Sequence, residues 1–218
     1  MTWINFNWFK WNAEQQGNSL DKTVKTIYEV AYKQFEQSYT EDLKGADESE
    51  LEEQDRHSYK DFLHEEFRDQ RAALALMTLS VLAKSLVLQL KQTAHGLNRN
   101  FPRQGDFKGK SELDRIAAEY QQRFGIMLDK VAHFGTVREI VLARNSIFHG
   151  DGSPSGDYLE QTKARFLDEA RAINLTPELV DTIVSELKEF YVTLAAALTD
   201  MYKAASEASK AQSVTPTQ

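Results

Sequence analysis

One short segment carries the side chains best suited to chemistry: Arg144, Asn145 and His149, at the end of a strongly apolar run. An arginine holds a phosphate with a planar fork of donors, and a histidine exchanges a proton near neutral pH. An asparagine can orient either group through its amide. Together the three side chains could cut a phosphodiester without a metal ion.

The spacing of these residues predicts their arrangement on a helix. Asn145 and His149 are four residues apart and share a face, whereas Arg144 lies roughly 140° from His149. Arg144 and His149 therefore converge only if the helix frays, which Gly150 as a helix stop favours, or if a second copy completes the site. A structural interpretation fits equally: the arginine binds helix-terminal carbonyls or a carboxylate, and the histidine caps the helix C-terminus.

The segment 137–152, VREIVLARNSIFHGDG, resembles the signature of the HEPN superfamily (higher eukaryotes and prokaryotes nucleotide-binding domain). That family is similar in its all-α bundle and in an arginine–polar–histidine motif at a helix end, which Arg144, Asn145 and His149 match position by position. The resemblance implies a metal-independent endoribonuclease that acts on RNA. It also implies a homodimer in which the motifs of two subunits face each other, and a toxin or antiphage defence role.

The resemblance also implies roles for the residues. His149 would be the general base or acid at the ribose 2′-OH or the leaving 5′-oxygen, and Arg144 would neutralise the developing phosphorane charge. Asn145 would orient His149 or the phosphate, and the product would be a 2′,3′-cyclic phosphate. HEPN toxins with a nucleotidyltransferase antitoxin tend to have tyrosine two residues after the histidine. Asp151 stands there instead, which leaves the antitoxin or regulatory partner unassigned.

Two further sets of residues could support such a site. HEPN-like proteins often have a polar or acidic residue on the helix facing the motif, and Glu66 and Asp69 are candidates that the sequence does not separate. Residues 96–110, GLNRNFPRQGDFKGK, have the Gly, Pro and Asn content of a loop. Its basic side chains alternate with two phenylalanines, which is typical of a single-strand RNA contact; an alternative is a solvated loop with both rings packed on the bundle. The predicted RNA-binding side chains are Arg99, Arg103, Lys108 and Lys110.

Charge and composition narrow the class of protein. The formal charge of −7 argues against nucleic acid, but residues 41–69 hold 12 acidic and 4 basic side chains, whereas residues 84–110 hold 6 basic and 1 acidic. With no cysteine, and with Arg68 where a zinc helix needs its second histidine after His64, we expect no metal or other cofactor.

The N-terminus lacks a signal-peptide pattern, and the apolar run 72–90 indicates a buried central helix rather than a membrane span. We therefore expect a cytoplasmic protein.

The apolar periodicity predicts an all-α fold, a bundle of five to six helices. We expect an aromatic N-terminal arm over residues 1–18, a bundle over 19–205 and a disordered tail over 206–218. The dense aromatics of the arm indicate a strand or extended segment packed on the bundle or on a second subunit, with base stacking as the alternative. The predicted helices cover residues 19–43, 59–95, 111–124, 136–148, 158–173 and 176–205, with Ser19, Ser111 and Thr176 as N-caps.

Two other functions remain open from the sequence. A non-catalytic RNA- or nucleotide-binding module of the same fold would use the same residues without cutting. A structural dimeric helical protein would need Arg144 and His149 only to cap a helix.

Overall fold

The computed structural model describes the backbone of residues 7–98, 111–149, 155–168 and 172–213, and the side chains of these residues except 7, 8, 95–98, 147–149 and 209–213. Within these residues it is all-α, with six α-helices and no β-strand, which confirms the predicted fold class. A 3-10 helix, Leu128–Lys130, lies between α3 and α4. The helices are α1 (Asn7–Glu48), α2 (Glu53–Asn98), α3 (Glu112–Phe124), α4 (Phe134–His149), α5 (Gly156–Gln161) and α6 (Pro177–Ser213).

The contacts divide the chain into two compact units. Unit 1 draws its described residues from Met1–Leu20, Lys84–Arg138 and Ile183–Gln218, and unit 2 draws its residues from Asp21–Ala83 and Glu139–Thr182. The boundaries fall within α1, α2, α4 and α6, so each unit is assembled from pieces of long helices rather than from one continuous stretch.

Helix α3, in unit 1, has the boundaries that its sequence predicts. The Ser111 hydroxyl accepts a hydrogen bond from Asp114 N, and the Asp114 carboxylate accepts one from Ser111 N in return, which forms a capping box. At the other end Gly125 has φ 68°, a left-handed conformation that glycine adopts without strain, and its N–H donates to Gln121 O. The predicted end of this helix at residue 124 is therefore confirmed.

Residues 7–18 form a helix, not the predicted strand or extended arm. The prediction of Ser19 as an N-cap is therefore wrong, because Ser19 lies inside α1, which runs from Asn7 to Glu48. Phe9 and Ala13 are buried, with Gly17 and then Leu20 continuing their spacing along one helical face. A Cβ at Gly17 would lie 3.2 Å from Lys188 Cγ, so α1 and α6 approach closely within unit 1. The prediction was wrong because it took the aromatic residues as the packed side chains. Trp11, for example, is 57% exposed and contributes little to the buried face.

The chain after α5, in unit 2, departs most from the prediction. Residues 158–173 were expected to be one helix, but α5 ends at Gln161. Ala164 has φ 51°, and Leu167 and Ile173 form an isolated antiparallel bridge. A helix begins again after Thr176, whose hydroxyl accepts a hydrogen bond from Leu179 N at 3.2 Å, as predicted for an N-cap. That helix, α6, continues through Ser213, eight residues past its predicted end and into the range predicted as a disordered tail.

Helix α2 contains the one stretch, among the described residues, that is long and apolar enough to cross a membrane. About half of that window, 44%, is buried inside the protein, and core helices of soluble proteins meet the same criterion. The finding is therefore weak evidence for a span and is consistent with a soluble protein.

Candidate functional site

The motif lies on the last two turns of α4, in the part of that helix that belongs to unit 2. Ile140, Val141 and Ala143 are buried, so the apolar run ahead of the motif anchors it. The described part of α4 reaches His149, one residue beyond the range that the sequence predicts. The buried residues that precede the motif along the chain therefore hold the backbone of α4 in place.

Arg144 and Asn145 contact each other directly. Arg144 Nη1 donates a hydrogen bond to Asn145 Oδ1 at 3.0 Å, and both side chains are half-buried. The asparagine amide thus orients the arginine guanidinium, which is one of the two roles expected from the sequence. Such a contact restricts the rotamers of a long side chain before any ligand arrives.

The histidine of the motif is placed only in part. The backbone of His149 belongs to α4, but its side chain lies outside the described residues, as do residues 150–154. The convergence of Arg144 with His149 therefore stays a prediction.

Ser146, inside the motif, contacts Ser155 at the start of α5. Their hydroxyl oxygens are 2.7 Å apart, and Ser146 also donates to Leu142 O at 3.0 Å. Ser155 is the N-cap of α5, because its hydroxyl accepts a hydrogen bond from Tyr158 N. The start of α5 therefore lies within hydrogen-bond distance of α4, beside the motif.

A buried ion pair, which the sequence interpretation missed, lies one to two turns before the motif. Glu139 on α4 is 3% exposed and accepts hydrogen bonds from Arg165 N at 2.7 Å and from Arg165 Nε at 2.8 Å. A signal was present in the sequence: Glu139, Ala143 and Ser146 follow helical spacing, which places a carboxylate on a face that is otherwise apolar or small. The pair fixes the chain after α5 against the motif helix.

Tyr158, on α5, contacts the chain that follows this helix. Its hydroxyl accepts a hydrogen bond from Phe166 N at 3.3 Å, and its ring stacks on that of Phe166 with the centroids 6.5 Å apart. Burial raises the pKa of the Tyr158 phenol far above neutrality. Tyr158 is therefore a neutral structural hydrogen-bond partner rather than an acid or base.

The two candidate supporting acids are exposed and engaged on their own helix. Glu66 Oε1 accepts a hydrogen bond from Gln70 Nε2 at 3.4 Å, and Asp69 Oδ1 lies 3.9 Å from Arg68 Nε. Both belong to unit 2, like the motif. Within the described part of the chain, neither carboxylate forms a hydrogen bond or ion pair with Arg144 or Asn145, and their supporting role stays a prediction. Arg99, Arg103, Lys108 and Lys110 lie outside the described residues.

Two other histidines have structural contacts. His133, in unit 1, has φ 59°, and its Nε2 lies 3.1 Å from Glu189 Oε2. His64 contacts the Tyr39 hydroxyl through Nδ1.

Among the described residues no group of three or more metal-ligating side chains is found. Comparison of the chain with protein-family models, with curated proteins and with solved structures finds no match.

Proposed function

We propose that the protein is a metal-independent endoribonuclease of HEPN type, a cytoplasmic toxin or antiphage defence component with RNA as its substrate. The observation that carries this proposal is the hydrogen bond from Arg144 Nη1 to Asn145 Oδ1, within the last two turns before the helix ends at His149. A guanidinium held in place by its neighbour loses less freedom when it receives a phosphate.

The reaction uses only groups of the chain. A His149 imidazole removes the proton from a ribose 2′-OH, and the 2′-oxygen attacks the adjacent phosphorus. Arg144 neutralises the charge that develops on the phosphorane oxygens. The bond from phosphorus to the 5′-oxygen breaks, and that oxygen leaves with a proton from a second imidazole. The products are a 2′,3′-cyclic phosphate and a 5′-hydroxyl.

The homodimer belongs to the same proposal, because two imidazoles are needed and each motif contains one. The partner subunit's His149 would be the acid when the first is the base, and a regulatory or antitoxin protein would restrain the activity. RNA would reach the site along the basic segment that contains Arg99, Arg103, Lys108 and Lys110. Glu66 or Asp69 would support the site as an accessory acid.

The products of a cleavage reaction test this chemistry. Purified protein is incubated with a mixed RNA pool in EDTA, and the ends of the fragments are identified. The proposal predicts cyclic phosphate and 5′-hydroxyl ends, with a rate that falls by about 10²–10³-fold in Arg144→Ala. Asn145→Ala should retain more activity than Arg144→Ala. Asn145 only orients the guanidinium, and the charge of that guanidinium remains in the Asn145→Ala variant.

Mixing wild-type and His149→Ala subunits tests the shared site. The heterodimer holds one His149 imidazole instead of two, so it should cleave as slowly as the His149→Ala homodimer if each site takes an imidazole from both subunits, whereas subunits that act alone would retain part of the wild-type rate. Binding of RNA without cleavage would favour the non-catalytic RNA- or nucleotide-binding module. A dimer with neither binding nor cleavage would favour the structural protein.

A further inference from the structure

A pocket of about 200 Å³ lies wholly within unit 2, apart from the motif residues. One wall is a single face of α2, formed by His64, Phe67, Arg68 and Arg71 at positions i, i+3, i+4 and i+7. Tyr39 of α1 and the segment around Asn174 close the other sides. A volume of this size is below the roughly 300–1,000 Å³ of pockets for drug-sized ligands, so it suits a compact ligand.

Arg71 is the half-buried positive charge of this pocket. Arg71 Nη2 donates to the Asn174 amide oxygen at 2.9 Å, and the guanidinium carbon lies 5.5 Å from the Tyr32 ring centre and 5.6 Å from that of Phe67. Its Nε is buried and makes no hydrogen bond. Among the described residues no carboxylate lies within 4 Å of this guanidinium. A partly desolvated cation held by neutral groups is stabilised by an incoming anion.

The other side chains of the pocket add charge and a flat surface. Arg68 is exposed and lies i−3 from Arg71, on the same side of the helix. The rings of Tyr39 and Phe67 stack with centroids 4.3 Å apart and planes 6° from parallel, and the Tyr39 hydroxyl contacts His64 Nδ1. The pocket therefore combines two arginines with an aromatic wall.

One acidic side chain also lines the pocket and opposes an anion. Asp168 Oδ1, however, accepts a hydrogen bond from Ala172 N at 2.9 Å, so that oxygen holds the backbone turn. Among the described residues that line the pocket, two arginines and one aspartate leave a balance of +1 from these three side chains, while Asp69 Oδ1 lies 3.9 Å from Arg68 Nε. That balance still favours an anionic ligand over a neutral or cationic one.

We propose that this pocket is a binding site for a compact phosphate, held by the Arg71 and Arg68 guanidinium groups. The ligand is either free inorganic phosphate or a small phosphomonoester whose organic group contacts the Tyr39–Phe67 wall. An arginine fork matches the oxygens of a phosphate group, and each charge-assisted hydrogen bond strengthens where water is partly excluded. The site is independent of the ribonuclease proposal, because none of its residues belongs to the motif.

Calorimetric titration of the full chain at constant ionic strength tests this site. The probes are inorganic phosphate, phenyl phosphate and phenol. We expect one phosphate per chain, bound saturably, and at least about tenfold weaker binding in Arg71→Leu. Arg138→Leu is the matched control in unit 1: that arginine is also half-buried and 5.7 Å from a ring centre, but it has Asp114 within 3.4 Å. The control should bind phosphate like the wild type.

Each outcome decides the proposal. Tighter binding of phenyl phosphate than of phosphate identifies a phosphomonoester, and equal binding identifies free phosphate. Three results would overturn the site: phenol that binds as tightly as phenyl phosphate, unchanged affinity in Arg71→Leu, or no saturable binding at millimolar phosphate. If Arg71→Leu does not fold by circular dichroism, the exposed Arg68→Ala and the charge-retaining Arg71→Lys replace it, and unchanged affinity in both would overturn the site equally.

Discussion

Replacing Glu139 by alanine removes a buried carboxylate that accepts two hydrogen bonds from Arg165, at 2.7 Å and 2.8 Å. Because Glu139 is 3% exposed, its loss leaves a backbone N–H and a guanidinium without this acceptor in a region with little water. Breaking a buried ion pair on one side costs roughly 3–5 kcal/mol. The Arg165 side chain is 26% exposed, so partial hydration places the expected loss near the lower end, about 3 kcal/mol.

Thermal and urea unfolding monitored by circular dichroism measure this loss. For a chain of this length, about 3 kcal/mol corresponds to a fall in Tm of roughly 6–12 °C. Glu139→Gln keeps an acceptor for one donor and should lose less. Glu48→Ala, which removes an exposed i,i+4 pair with Lys44, should change stability by no more than about 0.5 kcal/mol. A loss below about 1 kcal/mol in Glu139→Ala would refute the view that this pair fixes the chain after α5.

Three further predictions concern helix ends. Ser111→Ala removes the capping box and should lower the free energy of unfolding by about 1 kcal/mol, with Ser111→Asp close to wild type; equal loss in both variants by urea unfolding would contradict the cap. Gly125→Ala forces a Cβ into a left-handed residue, with no atom within 4 Å to clash, so its loss should also be about 1 kcal/mol and arise from backbone strain alone. Hydrogen bonds from its own backbone N–H and from the Thr176 hydroxyl lower the pKa of Glu178 below 4.5. The stability that they contribute is present above pH 4.5 and is lost as pH falls through the lowered pKa, so Glu178→Gln should be less stable than wild type at pH 7 but not at acidic pH in thermal unfolding; a pH-independent difference would contradict this assignment.

The helix ends that the sequence predicted correctly are those determined by local chemistry. Ser111, Gly125 and the Thr176–Pro177 pair act through backbone groups within a few residues of themselves, so their effect is visible in the sequence. The all-α fold follows from the 3.6-residue periodicity of the long helices.

The error over residues 158–173 arose where side chains from other turns accept hydrogen bonds from backbone amides. The amide of Arg165 is bound by Glu139, and the amide of Phe166 by the Tyr158 hydroxyl, so neither continues the helix that the sequence predicted over residues 158–173. Periodicity cannot detect such contacts, because one of them spans 26 residues. In the candidate site, the sequence predicted that Asn145 could orient Arg144. The Ser146–Ser155 contact depends on the return of the chain and could not be predicted.

The rate of RNA cleavage in EDTA by two histidine variants tests the central claim most directly. His149→Ala should lose at least about 10²-fold in rate, because it removes the general acid and base. His133→Ala is the matched control, since its contact is with Glu189 in unit 1, and it should cleave like the wild type. Selective loss in His149→Ala is the predicted result. Equal cleavage by both variants, or no cleavage by the folded wild-type protein, would contradict the assignment of the motif as a ribonuclease site.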